Sequence, residues 1–283
     1  MLAISSFLGS AVAAAMTLAP AWKWQLGLRR VGPALASIAI AAGALGLITG
    51  GALGLATPPR ALIGAGLTLL GAVAVLAQRF YRDPERTVPF KPDIVVSPAD
   101  GHVVYVRRSE DGRLPVSTKH GHSVALTELT RTGAHDGDAI VVGIGMSFLD
   151  VHVNRAPIAG RVLLRRHFPG RFGSLRDPEM VFENERATTL IAGRDLEVAV
   201  VQIASRLVRQ IAGYVGEGAD VELGQRIGVI RLGSQVDLVL PDRSDMRVMV
   251  RAGDHVQAGT TVIATVAQPA DSAVALRPHE VVA

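Results

Sequence analysis

The chain has 283 residues and a formal net charge of +4; 49% of its residues are hydrophobic, yet only 4% are aromatic. That length suits one sizeable domain with an appendage, the aliphatic and glycine-rich excess points to a membrane segment, and so small a charge makes no demand for nucleic acid. Cysteine is absent and Lys23, Lys91 and Lys119 are the only lysines, which excludes disulfides, thiolate nucleophiles, cysteine-based zinc sites and, in the C-terminal half, a Schiff-base lysine.

Residues 1–31 form an apolar N-terminal segment. Residues 1–21 lack a basic start, so a cleavable signal peptide is not expected; an interfacial helix and a third membrane helix both fit. Residues 32–79 read as a transmembrane helical hairpin. Pro33–Ala56 and Ala61–Gln78 carry no charge, each is close to the roughly 20 residues that cross a bilayer as a helix, and Thr57-Pro-Pro-Arg60 is the expected turn. Glycines on both stretches would let the helices approach closely. Two buried core helices are the soluble alternative. Lys23, Arg29 and Arg30 precede the hairpin and Arg79, Arg82 and Arg86 follow it, whereas the turn has Arg60 alone. The positive-inside tendency places both flanks, and the domain beyond, on the cytoplasmic face of the cell membrane.

Residues 80–267 change in texture. After the charged linker Phe80–Arg86, short β-type runs alternate with turns: Ile94–Val96, Val103–Val106, Ala139–Ile144, Thr188–Ala192, Val198–Ile203, Gln225–Ile230, Val236–Leu240, Met246–Val250 and Thr261–Val266. Helical periodicity is confined to Ala204–Tyr214. The expected fold is a mainly β (β-rich α+β) soluble domain, mostly antiparallel. Between Arg155 and Arg209 ten arginines face six acids, a surplus suited to anionic headgroups or phosphate, or simply to a solvated face; Arg155, Arg186 and the other arginines of this window are phosphate candidates. Val215, Gly218, Val221, Gly224 and Ile227 recur as Val250, Gly253, Val256, Gly259 and Val262. This internal repeat resembles the sandwich of biotinyl and lipoyl carrier domains and suggests two matching hairpins packed face to face. With no lysine to modify, carrier function is excluded. Residues 268–283 read as a flexible tail.

Of three Gly-Ser pairs, only Gly233-Ser234 lies between two good strands. An ordinary turn fits such a dipeptide. So does a strained turn that presses the serine hydroxyl against the carbonyl of its own glycine, the arrangement needed for self-cleavage by an N-to-O acyl shift. That shift needs a base and an orienting acid. His152, held by apolar neighbours in Asp150–Pro157, and Asp100, in the turn Ser97-Pro-Ala-Asp-Gly101, are the candidates, although a satisfied core histidine and a turn aspartate would look the same.

Taken together, Phe80–Arg86, Pro98–Gly101, Asp150–Pro157, Phe168–Gly170, Glu183–Arg186, Val201–Ala204 and Leu232–Pro241 resemble, in order, segments of the phosphatidylserine decarboxylases. The similarity is nearest to the short, pyruvoyl-dependent bacterial and archaeal branch, and it spans about residues 80–265. The resemblance implies a proenzyme cut between Gly233 and Ser234 into a heterodimer of chains 1–233 and 234–283, with room for further oligomerisation. Asp100, His152 and Ser234 would be the processing triad, with Asp100 orienting His152. Ser234 would become a covalent pyruvoyl cofactor that forms a Schiff base with the headgroup amine, and His152 would serve as general base and acid, with no metal. The implied reaction converts phosphatidylserine in the bilayer to phosphatidylethanolamine and CO2. The same chemistry on another serine-headed lipid, archaetidylserine-like, is the alternative; a non-enzymatic membrane-tethered binding module is a third reading. Two departures stand out. Arg155 occupies the place of a second histidine in the longer branch. Gln235 stands where the longer branch usually has Thr and the short branch often Arg, a difference that could touch processing rate or headgroup contacts.

Overall fold

A computed structural model describes residues 2–23, 28–91, 93–115, 123–132, 137–175, 177, 180–205, 210–230 and 234–267. Three helices come first: α1 (Leu2–Lys23), α2 (Leu28–Ala52) and α3 (Thr57–Tyr81). Each packs on the other two, and glycines set the approach. A Cβ on Gly9 would strike the Ala61 backbone, and one on Gly64 would strike the carbonyl of Ser6. The apolar N-terminal segment is thus a helix seated against both of its successors. α2 and α3 include the two stretches long and apolar enough to cross a bilayer. Ile40, Ile48, Leu62, Leu70 and Val73 are largely exposed, unlike the residues of core helices in a soluble protein.

The turn between α2 and α3 lies earlier than expected, at residues 53–56, with Gly54 at φ +61°. Thr57-Pro-Pro instead opens α3, because a first-turn proline has no intrahelical N–H bond to lose. Arg60, the one charge in this region, is buried over Gly50 and donates from Nε to the carbonyl of Leu55 (2.8 Å) just past the end of α2.

The rest of the described chain is β-rich: β1 (Ile94–Val96), β2 (Gly101–Arg108), β3 (Arg113–Pro115), β4 (Ser123–Ala125), α4 (Leu126–Thr130), β5 (Ala139–Met146), β6 (Val153–Arg155), β7 (Gly160–Phe168), α5 (Met180–Glu183), β8 (Arg186–Ala192), β9 (Glu197–Ala204), β10 (Ile211–Gly213), β11 (Asp220–Val221), β12 (Arg226–Ile230), β13 (Ser234–Pro241), β14 (Met246–Val248), β15 (His255–Val256) and β16 (Val262–Val266). A curled antiparallel sheet of eight strands runs β11-β7-β8-β9-β13-β5-β2-β15. Two three-stranded sheets, β1-β16-β14 and β10-β12-β6, contribute Val95, Ile227, Ile230 and Ile263 to the core on one of its faces. A second core, with Leu114, Leu126, Leu129 and Val181 from β3, α4 and α5, covers the other face. β5, β9 and β13 are therefore buried on both sides, which is why their sequences are nearly unbroken apolar runs. Six of the nine expected runs lie wholly within strands; Gln225–Ile230, Met246–Val250 and Thr261–Val266 overrun β12, β14 and β16 by one or two residues. The helical expectation over Ala204–Tyr214 is corrected: its described ends belong to β9 and β10, because pairing of Ile211 with Ile230 and Gly213 with Gly228 overrides the local periodicity.

The sequence repeat has a structural counterpart. β6, β7 and β10–β12 match β1, β2 and β14–β16, and the two halves exchange reciprocal bonds, Val96 N–H to Pro157 O and Arg155 N–H to Pro98 O, both 2.9 Å. Gly218, Gly224, Gly253 and Gly259 all take positive φ, from +71° to +95°. The matched strands β11 and β15 lie at opposite edges of the large sheet, and the halves approach each other at Gly224 and Gly259.

Candidate active site

His152 immediately precedes β6, and its carbonyl accepts from the N–H of Ile230 (3.2 Å), the last residue of β12. The histidine is therefore fixed beside the chain that leads to Ser234. Its ring is buried, 4.5 Å from the ring of Phe80 at the end of α3. Nδ1 lies 2.8 Å from the backbone carbonyl of Asp150. A carbonyl only accepts, so Nδ1 carries the proton and Nε2 presents a lone pair. Nε2 has no hydrogen-bond partner among the described residues. Burial pushes the imidazole pKa down; the Asp150 carbonyl and carboxylate, and the more distant Asp100 carboxylate, oppose that shift, while Arg82 adds to it. The outcome is a neutral imidazole with a directed lone pair.

Asp100 is placed by a tight turn. Gly101 follows at φ +150°, so close to the carbonyl of Gly145 that no Cβ would fit. The buried carboxylate of Asp100 pairs with Arg86 Nη2 (2.8 Å) and accepts from the N–H of Ala258 (2.8 Å). It does not make the bond to His152 expected of an orienting acid; the Asp150 carbonyl holds that position, and Asp100 reaches the imidazole only through its charge. Sequence reasoning missed Asp150 in this role, since a backbone acceptor leaves no side-chain signal. The Asp150 carboxylate turns back to the N–H of Ser147 (2.7 Å) and lies 4.0 Å from His255, whose ring meets His102 edge-on.

Ser234 opens β13 between β5 and β9, its Cα opposite Met146 on one side and Ala204 on the other. Gly233 lies outside the described residues, and so does the turn expected there. Gln235 is buried. Its buried amide donates to Tyr105 Oη (2.9 Å) and Asp237 Oδ1 (2.7 Å), while Tyr105 donates to Asp237 Oδ2 (2.6 Å). Burial raises both acids of this cluster, Asp237 to about 6 and Tyr105 well above the usual phenol range.

Of the arginine candidates for phosphate, Arg155 and Arg186 are engaged by the fold. Arg155 donates to the carbonyls of Gly224 (3.0 Å) and Pro84 (3.1 Å) and pairs with Asp83 (3.3 Å). It anchors the linker from α3, which Arg226 also grips through Asp83 and Glu85. Arg186 is wholly buried and donates to the carbonyls of Glu128, Leu129, Val181 and Asn184; burial lowers its pKa to about 10. No cluster of metal-ligating side chains occurs among the described residues.

Residues 73–264 match the family profile described as phosphatidylserine decarboxylase. A phosphatidylserine decarboxylase proenzyme of Symbiobacterium thermophilum is 38% identical over 201 residues, covering 71% of this chain and 83% of that protein. One from Geobacter metallireducens is 36% identical over 194 residues, covering 68% and 78%. A protein of Methanothermobacter thermautotrophicus named "Putative archaetidylserine decarboxylase proenzyme" is 38% identical over 199 residues, covering 70% and 84%.

Proposed function

The chain belongs to the phosphatidylserine decarboxylase family, and from that premise we propose that it is a self-processing, membrane-bound carboxy-lyase that converts phosphatidylserine to phosphatidylethanolamine and CO2. The observation that carries this reading is His152: a buried neutral imidazole whose Nε2 has no partner among the described residues, one backbone bond from Ile230 at the end of β12, the last described residue before Ser234.

In the processing step, His152 Nε2 takes the proton of the Ser234 hydroxyl. Oγ bonds the Gly233 carbonyl carbon, and the C=O pair moves onto oxygen. Collapse breaks the C–N bond, the proton passes to the freed nitrogen, and an ester remains. Loss of the Ser234 Cα proton expels the Gly233 carboxylate. The resulting dehydroalanine is hydrolysed, with release of ammonia, to a pyruvoyl group at the new N-terminus.

The fold suits such a group. With no lysine after Lys119, the C-terminal half has no side-chain amine of its own on which an imine-forming cofactor could be carried, and residue 234 is held by strands on both sides. The group would supply an electron sink for the pair released as CO2 leaves. His152 would then return a proton to the substrate's α-carbon, and the Asp100 charge would favour the imidazolium that this requires.

Three further features support the reading. β13 pairs along its length with β5 and β9, and β14–β16 pair with one another or with β1 and β2, so chains 1–233 and 234–283 would stay together as a heterodimer. α2 and α3 would anchor the enzyme in the cell membrane with its domain at the cytoplasmic face, and Phe80 would bring the end of α3 onto the base. The matched halves would be a lysine-free version of the carrier-domain sandwich. Archaetidylserine is the second substrate reading, favoured by the name of the Methanothermobacter relative.

Intact-mass analysis tests the processing step. Wild-type protein should yield a fragment that begins at residue 234 with a pyruvoyl group, and Ser234→Ala should remain one chain. Active wild-type protein that is uncut would sink the reading.

A further inference from the structure

Asn154 lies two residues after His152 and is fully buried. Its Oδ1 accepts from Gln202 Nε2 at 2.8 Å. Its Nδ2 has no hydrogen-bond partner among the described residues. A buried donor without a partner is costly and uncommon, and in this segment the only other buried polar side-chain atom without a partner among the described residues is the acceptor His152 Nε2.

The direction in which the Asn154 amide points is set from a distance. Arg165 can only donate, and its guanidinium bonds Thr189 Oγ1 (2.7 Å) and Gln202 Oε1 (3.4 Å). Gln202 must therefore turn its NH2 towards Asn154. Asn154 in turn must offer oxygen to Gln202 and project its own NH2 away. The guanidinium sits where any Cβ on Gly213 would be, and Gly228 leaves room for the Gln202 amide. The polar row Arg165–Gln202–Asn154 thus ends in an aimed, unused N–H donor.

The partner of Asn154, Gln202, lies near Ser234 along the sheet. Gln202 stands opposite Val236 in the β9–β13 ladder, and Ala204 stands opposite Ser234. The strand repeat puts these two pairs about 7 Å apart. The ladder of β6 with β12, which Ile230 N–H to His152 O extends, gives residues 152 and 154 the same side of the strand.

We propose that Asn154 is a further catalytic residue of self-cleavage: its Nδ2–H donates to the carbonyl oxygen of Gly233 as that oxygen gains negative charge. Gln202 is its positioning residue. In this division of labour His152 takes the Ser234 proton, Asn154 receives the displaced C=O pair by hydrogen bond, and collapse returns the pair as the C–N bond breaks. The inference rests on the processing reading above.

The test is a cleavage time course on newly synthesised full-length chain, with hydroxylamine added to parallel samples to cut any ester. Asn154→Asp keeps the shape and loses the donor. It should slow cleavage about 100- to 1000-fold, with no accumulation of hydroxylamine-sensitive chain, because formation of the ester is the slowed step. Cleavage of Asn154→Asp at the wild-type rate would overturn the proposal, as would a hydroxylamine-sensitive ester formed at the normal rate, which would place Asn154 after the acyl shift. Gln202→Glu covers the case in which Asn154→Asp fails to fold. A glutamate accepts from both Arg165 and Asn154, so the Asn154 amide turns its NH2 to that carboxylate and the donor is spent there. Cleavage should slow at least about tenfold with an unchanged melting temperature, and a wild-type rate would refute the proposal. Wild-type chain that never cleaves would instead sink the processing reading itself.

Discussion

The ring of Phe80, in the last turn of α3, lies 4.5 Å from the ring of His152 and also packs on Phe148. The helix that leads out of the N-terminal layer thus supplies the cover that desolvates the candidate base.

Phe80→Ala should let water reach the imidazole, and the His152 pKa should climb back towards its ordinary value. On the proposed mechanism self-cleavage requires neutral His152, so its rate should rise with pH through that pKa and level off above it. In the variant the rising limb should move to higher pH, and stability should fall by on the order of 3 kcal/mol. Cleavage rates between pH 5 and 8 check this; a limb that does not move would mean that Phe80 does not set the base. Linkage gives a second readout. A histidine with a lowered native pKa binds more protons when unfolded, so its contribution is full above about pH 6.5 and is lost as pH falls below it.

Asp237 should act in the opposite sense. Its native pKa is raised to about 6 by burial, so its contribution is present below the unfolded value and is lost as pH rises from about 4 through 6. Asp237→Asn keeps the shape and cannot ionise. Relative to wild type the variant should gain up to about 3 kcal/mol across that rise, read from denaturant midpoints at successive pH values. A constant difference would show that Asp237 titrates normally.

Arg155→Ala should release the linker at Asp83 and Pro84 and leave the Gly224 carbonyl without its donor. A loss of about 1–3 kcal/mol is expected, together with faster proteolysis between Tyr81 and Ile94. Arg155→Lys should recover only part of this, since one ammonium cannot span the three acceptors that a guanidinium fork reaches. Wild-type protease resistance in Arg155→Ala would show that Arg226 holds the linker unaided.

After cleavage, residues 1–233 and 234–283 should co-elute in mild detergent and separate only in denaturant. Separation without denaturant would mean that β13 leaves the sheet once it is cut.

Much of this fold is legible in the sequence where burial is two-sided. β5, β9 and β13 sit between two cores and announce themselves as apolar runs. β7 hides because Arg161, Arg165, Arg166 and His167 interrupt it, and its burial alternates only in part. β6, α4 and α5 are three to five residues long, too short to show a period. At the site, His152 and Ser234 stand out through their neighbours. The partner of His152 is a backbone carbonyl, Asp100 is held by Arg86 from the linker, and Asn154 meets Gln202 across 48 positions of chain. Only folding brings these together, so local pattern could not supply them.

The place of Ser234 at the head of a strand flanked on both sides has a bearing on biogenesis. The intact chain finds its sheet by a unimolecular search. Once severed, two polypeptides would have to find each other at whatever concentration they share, with the smaller one forming a middle strand of the other's sheet. Assembly therefore has to come before scission, and an enzyme unravelled after maturation has no easy route home.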